Sequence, residues 1–192
     1  GILELHSNSG AACQDNYVSG NQSDWVTAET IISTSIDQVA VAPGSLVNSW
    51  EKADRKYFQY RTDHTSLNYF SFMSARYEVA RKKWKDIDIE VYYDKKHPYK
   101  IDKMLDAVER SLQYYTTNFG PYYHKQARII EFPGYFLFAA AFPGTMPYSE
   151  AYGFITNLED ENDNNIIDAV VAHEMAHQWW AHQVVGADMQ GA

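Results

Sequence analysis

A single cysteine, Cys13, stands among the 192 residues. No intrachain disulfide can form, and neither a cysteine-based zinc site nor a Cys-x-x-Cys redox pair is available. Basic residues are also scarce. Sixteen Lys and Arg face 25 Asp and Glu, for a formal net charge of -9. A chain of this sign lacks the basic footprint of a nucleic-acid binder, so nucleic acid is excluded as the main partner. No stretch reaches the roughly 18 uninterrupted apolar residues of a membrane-spanning helix. Gly1 to Gly10 has no basic start followed by an apolar core, so it does not read as a secretory signal. There is no internal repeat and no low-complexity tract. What is present is a core-forming composition, 45% hydrophobic and 15% aromatic, long enough for one large domain or two small ones. The chain begins at Gly1 rather than Met, and we expect it to be a piece of a longer protein.

The patterning changes along the chain. Residues 1–23 are polar and rich in Ser, Asn and Gly, a loose lead-in. From Trp25 to about Tyr93 the pattern is β, with strands expected at 27–34, 38–42, 56–61 and 86–93 and a turn at Pro43-Gly44. Ile87, Ile89, Val91 and Tyr93 alternate onto one face. Short strands with no helix between them imply an antiparallel sandwich or half-barrel. After Pro98 the period lengthens. Ile101, Met104, Leu105, Val108, Leu112, Tyr115 and Phe119 recur every three or four residues, which predicts an amphipathic helix ended by Gly120-Pro121. Strand-like stretches follow at 127–132, 135–142 and 152–156. A domain boundary is therefore expected near 94–99. The fold class is α+β.

Residues 158–165 are acidic and Asn-rich. Asp160, Asn162 and Asn164 alternate like calcium-loop ligands. However, Asn165 replaces the turn glycine and Val171 stands where the bidentate glutamate belongs. A solvated loop leading into a helix cap fits better, with Asn164 or Asn165 as the cap. Ile166, Val170, His173, His177 and Val184 then share one helical stripe, and Gly186 supplies a stop.

That helix carries His173-Glu174-Met175-Ala176-His177, an H-E-x-x-H pattern. Positions i and i+4 lie on one helix face, so the two imidazoles can share one zinc ion. Glu174 is turned by about 100° from His173, where its carboxylate can act on a water beside the metal. The competing reading is a buried helix with two satisfied histidines. His182 falls outside the shared stripe and is expected at the surface or in a cap. Trp179 and Trp180 are expected as core anchors, and Gln178 as a support for the helix face.

The flanks of this pattern, Ala172 to Trp180, resemble the zinc helix of gluzincin peptidases of the aminopeptidase-N and leukotriene-hydrolase type. Ser149-Glu150-Ala151-Tyr152-Gly153-Phe154-Ile155-Thr156 resembles the family segment that holds the G-A-M-E-N exopeptidase motif. Asn68 to Val79 and Pro147-Tyr148-Ser149-Glu150 are most similar to the peptidase domain of bacterial membrane proteins of ABC-transporter-permease type. The resemblance implies that residues 24–94 are the end of an antiparallel β-rich N-terminal domain. It implies that residues 95–192 are the first part of a thermolysin-like zinc-peptidase domain. It makes His173 and His177 zinc ligands, Glu174 the general base and Glu150 the carboxylate that holds a substrate's free α-amine. It also implies Zn2+ as cofactor, a peptide as substrate, and a membrane-embedded bacterial parent with this domain outside the cytoplasm.

Two departures from the family pattern keep alternatives open. Pro147-Tyr148 replaces Gly-Ala, Ser149 replaces Met and Ala151 replaces Asn, and Pro147 removes a backbone donor. The family's third zinc ligand and its oxyanion tyrosine fall beyond Ala192. Glu159, Asp160, Asp188 or His182 could fill the ligand gap, and otherwise this chain is expected to hold zinc weakly and to lack activity. The parent could be an aminopeptidase, an endopeptidase without an N-terminal anchor, or a catalytically silent module of a transporter.

Overall fold

Alternating and hairpin-forming segments build most of the molecule. The computed structural model describes residues 25–155 and 165–184. Among these the fold is α+β, with mostly antiparallel sheets and two α-helices. β1 (Trp25–Val26) pairs with β6 (Ser66–Leu67), and β3 (Val39–Val41) pairs with β7 (Met73–Ala75). β2 (Glu29–Ser35), β5 (Arg55–Arg61) and β4 (Ser45–Lys52) form a three-stranded antiparallel sheet in that order. Only a few side chains, Ala40, Ala42, Phe58 and Tyr60, make its buried cluster.

The second sheet is larger and positions the functional residues. β8 (Tyr77–Trp84) and β9 (Ile87–Asp94) form an antiparallel hairpin. Helix α1 (Ile101–Phe119) follows, and then β10 (Gln126–Phe132) and β11 (Thr145–Ser149) add in parallel, giving the order β11-β10-β9-β8. Every residue of β10 is buried, because it runs through the sheet interior with cover on both faces. On one face Ile87, Ile89, Val91 and Ile129 pack with Met104, Val108 and Leu112 of α1 and with Ile167, Val171 and Met175 of helix α2 (Asn165–Ala176). On the other, Ile130 and Tyr92 meet Val41. Arg128 ties the layers together. Its guanidinium is buried, donates to the carbonyls of Ala42 (3.1 Å) and Gly44, and lies over the Tyr60 ring. Gly44 has φ +87°, and a Cβ there would meet the Arg61 backbone at about 2 Å, so this turn admits only glycine.

Several expectations change. The boundary expected at 94–99 separates β9 from β10, which are hydrogen-bonded neighbours, so it marks a change of period inside one sheet. Residues 135–142 do not form a strand. Tyr135, Phe136, Leu137 and Phe138 are apolar in succession, without the alternation a half-buried strand needs, and all four are exposed. Only the end of this stretch meets β11, through Ala140 N–H to Pro147 (3.1 Å) and Ser149 N–H to Phe138 (3.1 Å). In place of a strand from Tyr152, a short 3-10 turn covers Glu150–Tyr152, with the N–H groups of Phe154 and Ile155 both returning to the Glu150 carbonyl. α2 ends at Ala176 instead of running to 184. Ala181 has φ +123°, which a right-handed helix cannot hold, and residues 177–184 coil as turns. Asn164, Glu159, Asp160, Gly186, Asp188 and the lead-in 1–23 lie outside the described residues. Among the described residues no helix is long and apolar enough to cross a membrane.

Candidate functional site

The end of α2 and the turn that continues it bring the two histidines together. Met175, Val171 and Ile167 anchor the helix in the core, so His173 and His177 are left on the outer side. Their Nε2 atoms are 3.2 Å apart. Two nitrogens about 2.05 Å from one zinc in tetrahedral geometry would be separated by about 3.3 Å. The separation of the pair therefore matches that of two nitrogens on one ion. Nδ1 of His177 donates to the Trp180 carbonyl (3.1 Å), which leaves the Nε2 lone pair for a metal. The carbonyl is available because the helix has already ended. A third His, Cys, Asp or Glu ligand atom does not join the pair among the described residues.

Glu174 is buried beside the pair. Burial pushes its carboxyl up, and the two imidazoles pull it partly back. A carboxylate raised toward neutrality is the right kind of group to take and return a proton. Tyr148, on β11, is fully buried near it, and its hydroxyl has no hydrogen-bond partner. Burial, and then the Glu174 carboxylate, push that phenol up.

The residues after α2 hold the helix against the 142–145 hairpin. Gln178 is fully buried, accepts from Gly144 N–H (2.8 Å) and donates to the Phe142 carbonyl (3.1 Å). His182 is buried rather than at the surface, and its Nε2 donates to the Ala141 carbonyl (2.9 Å). It does not join His173 and His177. Trp179 is a core residue whose indole N–H donates to Gly120. Trp180 is not: it is 43% exposed and lies edge-on against Phe119.

Glu150 sits in a different group. Its Oε1 accepts from Gly134 N–H (2.7 Å), and its Oε2 faces His97 Nδ1 at 3.6 Å. The same His97 nitrogen donates to Glu131 Oε1 (2.6 Å). Glu131 is buried on β10 and also accepts from Asp94 N–H. Burial pushes its carboxyl up, against the pull of His97. The sequence reading missed His97 and Glu131. The available signal was a charged residue inside the apolar run Ile129-Ile130-Glu131-Phe132, which has to be partnered when that run is an interior strand.

No protein-family model matches the chain. The arrangement around α2 can present a two-nitrogen half of a metal site next to a desolvated carboxylate.

Proposed function

We propose that this chain carries the zinc helix of a metallopeptidase of the gluzincin aminopeptidase type. On this reading the sheet β8 to β11 with α1 and α2 belongs to a thermolysin-like domain, and the parent is a membrane-bound bacterial protein. The observation that carries the reading is the 3.2 Å approach of the two Nε2 atoms with Glu174 buried beside them. His173 and His177 would hold Zn2+, and a third protein ligand would come from outside the described residues. The bound ion would polarise a scissile carbonyl and lower the pKa of a water. Glu174 takes a proton from that water and returns it to the leaving amine. Trp180 orients His177 through its carbonyl, and Gln178 fixes the helix end to the hairpin.

Glu150 as the anchor of a free α-amine is the aminopeptidase form of this proposal. Its carboxylate is already engaged by Gly134 and faces His97, which favours an endopeptidase as the second reading. Free-amine aminoacyl arylamides and N-blocked peptides, offered to the full-length parent with zinc, separate the two. Turnover of free-amine substrates alone supports the aminopeptidase. Turnover of blocked ones supports the endopeptidase. Absence of both, with zinc bound, contradicts the peptidase reading and leaves a silent module.

A further inference from the structure

We propose that His97, Glu131 and Glu150 form a binding site for a divalent transition-metal ion, separate from His173 and His177. The three residues come from three places: the connection after β9, the interior strand β10 and the turn after β11. One potential ligand atom from each lies within 4.8 Å of the others. His97 Nδ1 is 2.6 Å from Glu131 Oε1 and 3.6 Å from Glu150 Oε2. An imidazole lone pair cannot face a carboxylate at that range, so either a proton or a metal ion has to lie between them.

Within the triad itself, two carboxylates, a neutral imidazole and a divalent ion sum to zero charge. Neutrality matters here because the Glu131 side chain is only 5% exposed. Both carboxylates are held from behind, by Asp94 N–H and Gly134 N–H, as metal-binding carboxylates usually are. Ligand bonds of about 2.0–2.2 Å in tetrahedral geometry require the His97–Glu131 contact to open from 2.6 Å to about 3.3 Å. A cavity of about 360 Å³ adjoins the group and gives room for water ligands; Arg76, Asp94, Lys95 and Lys96 are among its lining residues. One nitrogen and two oxygen donors suit zinc, manganese, iron or cobalt better than calcium or magnesium, which prefer oxygen throughout.

The test uses the full chain with His173→Ala and His177→Ala, so that α2 cannot contribute. Zn2+ binding is measured by equilibrium dialysis, and Co2+ binding by its visible absorption. We expect about one equivalent of metal, weakened tenfold or more by either His97→Gln or Glu150→Gln. No binding to the two-histidine variant, or binding that neither further substitution weakens, overturns the site. Should those further variants fail to fold, the ring resonances of His97 in the two-histidine variant give the answer. A Zn2+-induced shift supports the site, and unchanged resonances on saturation overturn it.

Discussion

The two histidine-carboxylate groups are built in opposite ways. His173, Glu174 and His177 lie within five residues, the first two on α2 and His177 directly after it, where its N–H still bonds the His173 carbonyl (3.3 Å), so their geometry follows from the helical repeat. His97, Glu131 and Glu150 span more than fifty residues and meet only because β10 and β11 run parallel beside β9. The helical group turns its two Nε2 atoms toward each other, and among the described residues no carboxylate is hydrogen-bonded to them. The sheet group has its carboxylates already engaged by His97 and by backbone N–H groups. A hydrolytic site needs open coordination positions, so the first is suited to chemistry and the second to holding an ion or a proton. This difference is why we assign them different roles.

The sharpest way to break that contrast is Glu174→Gln in the full-length protein. Removing a general base lowers turnover by about 10²–10⁴-fold, with zinc content and melting temperature unchanged. Steady-state kinetics and metal analysis on the same sample check it. Loss of zinc together with activity would make Glu174 part of the metal-holding structure instead.

Gln178→Ala acts on the helical group alone. It leaves Gly144 N–H and the Phe142 carbonyl without their partner in a buried place, a cost of about 1–3 kcal/mol in urea melts. His97 lies on another element, so its ring resonances should not move.

Acid separates the groups from the rest of the fold. Burial, reinforced by His182, pushes His124 down to about 4 from its ordinary 6.5. Between those values the unfolded chain binds a proton that the folded chain refuses. The stability from burying neutral His124 is therefore complete above about pH 6.5 and is lost as pH falls toward 4. Urea midpoints at pH 7 and 4.5 should differ less in His124→Gln than in the parent sequence. Glu150→Gln is the mildest change. Its side chain is 23% exposed and the amide oxygen can still accept from Gly134 N–H, so the cost should stay within about 1 kcal/mol. It should slow free-amine substrates selectively only if Glu150 binds the substrate amine, and kinetics on free-amine and N-blocked substrates check that.

The sequence reveals what is local. The spacing of Ile101, Met104, Leu105, Val108 and Leu112 marks α1, and all five are buried. Alternation marks β9 in the same way, with Ile87, Ile89 and Val91 buried. The convergence of His173 and His177 is likewise set by the helical repeat. What the sequence hides is non-local. Nothing in residues 86–93 says that β9 pairs with β10 across a 19-residue helix. The run Tyr135-Phe136-Leu137-Phe138 has strand-forming side chains, yet it lies exposed, and only residues from Phe138 onward reach the free edge of β11. Glu150 reads as a motif residue, but its neighbours His97 and Gly134 are fixed only by the sheet order.

The most direct measurement is zinc-dependent hydrolysis of a panel of aminoacyl arylamides and N-blocked peptides by the full-length protein, before and after chelation, with Glu174→Gln alongside. We predict turnover that chelation abolishes and zinc restores in the unsubstituted protein, and that zinc does not restore in the variant. Turnover that survives chelation, or that Glu174→Gln leaves at the parent's rate, would contradict the role assigned to His173, Glu174 and His177.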